Sequence, residues 1–490
     1  MNTFKEINDT RKKGEIDKAY AMAQQALLKT PDDIWIKRAM SWVLYDKSKT
    51  ENNLIDIITE VVALGFDSND EGMFFEHFVW NIAKNVSNQQ QYSSYINDLF
   101  IAMKPLNFTA SEGYSYLFKT FHAFRNEWHA YTDFCDWWNF DNFLSKDYDK
   151  FRTQYGKDIM SLAEQAYIGY SKALLSNGST EKIKTFLPKL KKLADEHKNY
   201  QYPPYFLAKL YLKINDKASA QTTLLPFVRN KSNDYWVWQT LGEACNDEEQ
   251  RFYCYCKALT CNCKPEMLVS LKEDFAEILA KKGLFDNAKT EIEQVLEVRK
   301  QKSWRITDTL LALTSTDWYK TAQKLNDNKE LYHRHAPQAE EITFADLTCI
   351  SIMITRTDSV KKIANFITPE RKEGMFVYSR LFKKAPEIGS LFSAYFSEIN
   401  NKGVGKVVKI NASTLTDEWN NIIIDFEGII TLDKDRRFGI VMSHNKNIFV
   451  PKSMLTSLDN TDIVSGKAVK SFDKKKNKDG WTAFKITKNK

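Results

Sequence analysis

The chain is poor in the two residues that punctuate turns, with 17 Gly and 11 Pro in 490 residues. So few breakers favour long helices over a many-stranded enzyme core threaded by glycine-rich loops. The common catalytic motifs are missing as well. There is no G-x4-G-K-[ST], no H-E-x-x-H, no G-x-S-x-G and no G-x-G-x-x-G after a strand, which leaves no sign of a phosphate cradle, a zincin helix or a nucleophile elbow. No stretch approaches the roughly 18 apolar residues of a membrane span. The opening Met1-Asn-Thr-Phe-Lys-Glu-Ile lacks the basic-then-apolar order of an export signal. The expectation is a cytoplasmic, non-enzymatic protein with no membrane partner and no cofactor. An odd number of cysteines, seven, fits reduced thiols.

Helical periodicity fills the first two thirds. Trp238-Gln-Thr-Leu241-Gly242-Glu-Ala-Cys245, followed by Cys254, Ala258, Cys261 and Pro265, resembles a tetratricopeptide repeat. That family runs W-x2-L-G-x2-Y, then A-x3-F, then Pro, over about 34 residues. One period earlier the same slots hold Leu207, Ala208, Tyr211, Ala220, Leu224 and Phe227; one period later they hold Phe275, Ala276, Leu279, Ala288, Ile292 and Val295. Asn215-Asp216 and Gly283-Leu-Phe-Asp286 supply turns, whereas Pro226 should kink or end its helix. Gly14, Ala19, Ala23, Ala26 and Pro31 repeat the pattern at the N-terminus, and Trp35, Ala39, Trp42 and Val43 mark a following helix. Between Leu54 and Phe151 the register is lost and aromatics crowd in: Phe74, Phe75, Phe78 and Trp80, then Trp128, Tyr131, Phe134, Trp137, Trp138, Phe140 and Phe143. Such spacings fit a packed helical core, with an aromatic-lined groove for a peptide or a base as the competing reading. Tyr167 to Leu193 reads as a further hairpin with Gly178 at its turn. After Lys302 the helical pattern fades, and Pro337 with Glu340-Glu341 marks a boundary.

Beyond it the period becomes two. Strands are expected at 347–355, 363–367, 375–378, 391–396 and 404–410, and again at 422–432, 438–443, 447–450, 463–472 and 481–486. Each set of five suits a small OB-type barrel. The sets align with each other, Met375-Phe376-Val377 on Ile448-Phe449-Val450. The fold class is therefore mainly α with a C-terminal β part: a tetratricopeptide-like solenoid, then two small OB-type barrels. The divisions are 1–53 (N-terminal hairpins), 54–200 (irregular aromatic-rich hairpins), 201–336 (the repeat array), 346–411 (a degenerate barrel) and 421–490 (the second barrel).

In the second barrel, Glu427-Gly428-Ile-Ile, Arg436-Arg437-Phe438-Gly439-Ile440-Val441 and Asn447-Ile-Phe449-Val450-Pro451 are similar to the cold-shock domain and the S1-like barrels of exoribonucleases. The last two segments stand where that family has K-G-F-G-F-I and D-V-F-V-H. The resemblance implies that Phe438 and Phe449 stack on unpaired bases. Ile440 and Pro451 stand where the family has a second Phe and a His, and no Trp stands at Thr431-Leu432, so stacking should be weaker. Residues 421–490 hold fourteen Lys plus Arg against eight Asp plus Glu. Lys474, Lys475, Lys476 and Lys478, with Arg436, Arg437, Lys446, Lys467 and Lys470, are the candidates for a phosphate backbone. The first barrel keeps Phe376 but lacks the F-G motif, and is expected to be structural or protein-binding.

Three further clusters carry groups that could bind a metal. Cys254, Cys256, Cys261 and Cys263 offer four thiolates, but C-x-C spacing on a helix splits its faces, so buried thiols are favoured over zinc. His333-Arg-His335 with Glu340 and Glu341 reads as a solvated polar connector. Asp133, Asp136 and Asp141 fit no single helical face. The expected function is an adaptor that takes a protein partner on the concave face of its repeats and single-stranded nucleic acid, RNA ahead of DNA, on its second barrel. In architecture it resembles bacterial proteins that join such repeats to cold-shock-like barrels, some in stress or phage-defence gene clusters. The alternatives are a pure protein scaffold and an enzyme hidden in 54–151.

Overall fold

The computed structural model describes residues 3–50, 53–66, 71–88, 93–156, 158–399, 405–473 and 478–489. Two compact units divide the chain, Met1–Thr343 and Phe344–Lys490.

The first unit is helical. It starts with α1 (Thr3–Lys12), α2 (Ile16–Lys29) and α3 (Ile34–Thr50). The repeat alanines Ala19, Ala23 and Ala26 are buried in α2. Trp35, one of the residues that mark α3, stands exposed and stacks on Phe4 at 5.4 Å. Next come α4 (Leu54–Ala63), α5 (Gly72–Asn88), α6 (Ser93–Met103), α7 (Glu112–His122), α8 (Tyr131–Trp138), a minimal hairpin of β1 (Phe151–Arg152) and β2 (Asp158–Ile159), α9 (Leu162–Asn177) and α10 (Thr180–Glu196). Here the aromatics are the core: Phe74, Phe78, Phe118, Phe121, Phe134 and Trp138 are fully buried and pack ring against ring. Trp80 and Trp137 are only half-buried.

The array consists of three helical hairpins: α11 (Pro203–Lys213) with α12 (Lys217–Asn230), α13 (Tyr235–Ala244) with α14 (Glu248–Thr260), and α15 (Val269–Lys281) with α16 (Phe285–Gln301). Trp238, Leu241, Ala258, Phe275, Ala288 and Ile292, all at repeat slots, are buried. Pro226 does not end α12, which continues to Asn230 because Leu224, Leu225, Phe227 and Val228 are buried on both sides of it. Their burial outweighs one lost backbone hydrogen bond.

Two short helices, α17 (Asp308–Thr314) and α18 (Asp317–Thr321), precede α19 (Lys329–Ile342). The faded pattern thus hides a full helix, and Pro337 sits inside it instead of bounding it. Burial of Tyr332, Ala336 and Ala339 against the array holds it in place. α19 packs along α14, and its two ends reach the second helices of the other two hairpins. Arg229 on α12 donates to the Thr343 carbonyl, Lys257 on α14 pairs with Glu340 at 2.5 Å, and Glu291 on α16 accepts from Asn328 at 2.5 Å and from the Tyr332 hydroxyl. Glu291 is fully buried and ion-paired with Lys272 at 2.7 Å.

In the second unit, β3 (Thr348–Asp358), β4 (Ile363–Ile367), β5 (Glu373–Val377), β6 (Leu391–Ile399) and β7 (Gly405–Ala412) form a sheet ordered β5-β4-β3-β6-β7. Then β8 (Ile423–Leu432), β9 (Phe438–Ser443), β10 (Lys446–Pro451), β11 (Ile463–Asp473) and β12 (Lys478–Lys488) close into a barrel, β10-β12-β11-β8-β9. The connectivity is the same in both. The difference is one seam: β10 pairs with β12 in parallel, whereas β5 and β7 are not hydrogen-bonded among the described residues.

The two sheets share a core of Met353, Ile367, Trp419, Ile422 and Val469, with Leu391 and Phe484 packed on it. Gly389, at φ +86°, makes room for Phe484, whose ring would lie 2.2 Å from an added Cβ. Arg371 grips the Asp479 carboxylate with both guanidinium nitrogens, which holds that carboxyl below its ordinary range.

Two outcomes follow for the helical unit. Glu291→Ala strands the Lys272 ammonium in the interior and should cost about 3–5 kcal/mol, read as an earlier helical transition in denaturant; an unchanged midpoint would contradict the locking role of this pair. Asp274, on α15, has its carboxyl pushed up to about 6 by burial, reinforced by Glu243, Glu277 and Glu273 against the opposing Arg251. The folded state therefore prefers the acid form, and stability declines as pH rises from the ordinary carboxylate range through about 6. Asp274→Asn should raise the melting temperature above neutrality and leave it unchanged below about pH 4.

Candidate nucleic-acid interface

Alternation decides which side chains the second barrel presents. On β9 and β10, Gly439, Val441, Ser443, Ile448 and Val450 are buried. Phe438, Ile440, Met442, Asn447, Phe449 and Pro451 consequently face outward. Phe449 lies opposite Ile440 and Pro451 opposite Phe438, which sets the two phenylalanines diagonally on adjacent strands. Their rings stack at 5.7 Å and 27°. Thr431 of β8 continues the row beyond Ile440.

Phe449 keeps 40% of its surface exposed. The proposed stacking pair is thus brought together on one face, accessible to solvent. Sequence reasoning missed what surrounds it. Met442 of β9, Ile429 of β8 and Ile463 of the neighbouring β11 are also exposed, Ile463 opposite Ile429 in the ladder. The period-two count through Phe438 and Ile440 would have reached Met442. Trp481, paired with Ile448 across the closing seam, carries the Lys446 ammonium 4.9 Å from its ring centre.

The basic candidates divide by partner. Arg436, at φ +50°, donates to the Leu458 carbonyl and to Asp459 at 2.8 Å, which pins the loop before β11. Arg437 pairs with Asp433 at 2.9 Å and holds that carboxyl below its usual range. Lys467 pairs with Asp425 at 2.7 Å, and Lys470 lies 3.5 Å from Asp479. Lys478 is exposed at the start of β12. Lys474, Lys475 and Lys476 fall outside the described residues. The pairs of Arg437, Lys467 and Lys470 are exposed to solvent and screened, so a phosphate can displace their carboxylates. By sequence, residues 344–490 hold 25 Lys plus Arg against 16 Asp plus Glu, a net of +9 in a chain of +7.

Phe376 does not correspond to Phe449. It pairs with Ala364 and points into the core beside Phe366, while Met375 and Val377 face outward. The alignment of the two third strands slips by one residue, and a one-residue slip moves every side chain to the other face. The first barrel's equivalent surface is therefore without a ring on β5.

The other clusters resolve into packing. Cys254 and Cys256 are buried in α14, and burial raises both thiols, with Cys245 hydrogen-bonded to Cys254. Among the described residues no group of three or more His, Cys, Asp or Glu is placed to hold a metal ion. His335 is no connector residue, since it lies on α19 and packs against Phe252 and Tyr253. Asp133 and Asp136 both face Lys182, at 2.9 and 3.1 Å, and Asp141 faces Lys189.

The chain's similarities follow the same divisions. Residues 344–408 match S1/CSD-like domain 1 of the TOTE conflict systems, and residues 424–486 match S1/CSD-like domain 2 of those systems. The C-terminal unit is thus similar over most of its length to a tandem of S1/CSD-like domains. Residues 201–339 match a domain of unknown function, DUF7017, whose span includes the three hairpins and nearly all of α19. No curated protein matches the chain. No helix among the described residues is long and apolar enough to cross a membrane.

Arg436 and Lys478 should separate structure from binding. Arg436→Ala is expected to lower the melting temperature of the C-terminal unit while leaving the salt dependence of oligonucleotide binding unchanged. Lys478→Ala should do the reverse, reducing the slope of log K against log salt by about 0.7, the value for one phosphate of a single strand.

Proposed function

We propose that this protein is a non-enzymatic adaptor of a bacterial conflict or phage-defence system, working in the cytoplasm. Its second barrel binds single-stranded nucleic acid, RNA ahead of DNA, and its tetratricopeptide-like hairpins bind a protein partner. The observation that carries the reading is the stacked, outward-facing pair Phe438 and Phe449 on a closed barrel of the S1/CSD-like class. Rings exposed on a sheet accept the flat face of any unpaired base, and the unit's positive charge draws the backbone. In the array, α19 packs along α14, and the first-helix side of α11, α13 and α15 is the surface we assign to a partner.

A second reading has its own support. Arg436, Arg437, Lys467 and Lys470 already face carboxylates, and Met442, Ile429 and Ile463 widen the apolar surface. Both features suit a protein-docking barrel in a scaffold.

Fluorescence anisotropy of labelled oligo(U) and oligo(dT) with the full chain separates the two. The adaptor reading predicts binding that weakens with salt and falls by about 1–3 kcal/mol on Phe438→Ala or Phe449→Ala. Folded protein that binds neither oligonucleotide at low salt would leave the scaffold reading.

A further inference from the structure

A cavity of about 560 Å³ in the helical unit is lined by Tyr45, Lys49, His77, Trp80, Asn81 and Lys84. Its lining is cationic, polar and aromatic at once. Two ammonium groups, an imidazole and an amide share it with two aromatic rings, and among the described residues no carboxylate lines it. The volume falls within the range of small-ligand sites, roughly 300–1,000 Å³.

Each wall is held in place. Tyr45 and Lys49 lie on successive turns of α3, with the Lys49 ammonium 3.9 Å from the Tyr45 ring centre and 2.8 Å from Asp46. His77 packs against both Trp42 and Tyr45. Trp80, on α5, is half-buried and rests on Tyr116 at 5.2 Å. Gly113 on α7 admits this indole, since a Cβ there would stand 2.8 Å from it. Asn81 is buried at the floor and donates to Ser48. Lys84 is exposed, with no ion-pair partner among the described residues.

The geometry points to a nucleotide-binding site: Tyr45 and Trp80 contact a base, and Lys84 and Lys49 meet its phosphate. Cations alone would suit any anion, and rings alone any apolar group. The combination, with both ring walls held rigid by their neighbours, fits a planar base joined to a phosphate. That nucleotide is either free or one unit of a strand, and both present the same chemistry. This site stands independently of the barrel, on different residues.

The test uses the full chain carrying Phe438→Ala and Phe449→Ala, so that the barrel rings make no contribution. AMP, adenosine, inorganic phosphate and a short oligo(A) are titrated against it, with tryptophan fluorescence and calorimetry as readouts. AMP or oligo(A) is expected to bind, whichever is tighter naming the source, while adenosine and phosphate alone bind more weakly. Lys84→Glu should weaken binding by about tenfold, as expected for loss of one charge-assisted contact, with an unchanged helical melting curve. Lys84→Gln should give a smaller loss in the same direction. The proposal is overturned if neither AMP nor oligo(A) saturates the protein, if Lys84→Glu binds as well as its parent, or if phosphate alone binds as tightly as AMP. Oligonucleotide binding that disappears entirely with the two phenylalanines would support the barrel and refute this site.

Discussion

The parallel pairing of β10 with β12 is the constraint on which the candidate interface depends. It closes the second barrel, and closure leaves no freedom in the register of β8, β9 and β10. Once Val441, Ile448 and Val450 are committed to the interior, alternation forces Phe438, Ile440 and Phe449 onto the outer face. The first domain is a five-stranded sheet of the same strand order without that pairing, not the closed barrel expected of it, and its third strand turns Phe376 inward. Two domains of one design thus present different surfaces, one with stacked rings and one with Met375 and Val377.

The tandem behaves as one body for a physical reason. Trp419, in the connection between the barrels, is buried with Ile422 against Met353 and Ile367 of the first sheet and Val469 of the second. Separating the barrels would expose these side chains, at about 1.5–3 kcal/mol for each large one. In the helical unit α19 has the corresponding role, tying three hairpins together through the buried Glu291 and its partners. The match to DUF7017 spans nearly all of this helix with the hairpins, in keeping with a module that is incomplete without it.

Much of this was legible in the chain because it is locally encoded. Strands β4 and β9 fall on the residues that alternation picks out, and the hairpin helices fall on the repeat slots. Phe438 and Phe449 were found through short motifs whose meaning does not depend on distant contacts. What escaped the sequence was settled over long separations. α19 is held by partners from three earlier helices, so its own weak pattern and Pro337 concealed it. Lys467 meets Asp425 across β8 and β11, and Lys470 meets Asp479 across β11 and β12, so a list of lysines could not show which were already paired. The inward turn of Phe376 hangs on one residue of register, which an ungapped alignment of two short strands does not fix.

The most direct test of the central claim is photocrosslinking of the full chain to a single-stranded RNA carrying 4-thiouridine, with the attachment sites mapped by mass spectrometry. The account predicts adducts on the peptides that contain Phe438 and Phe449, on the outer face of β9 and β10. Adducts confined to the first barrel, or none where oligonucleotide is visibly bound, would contradict it.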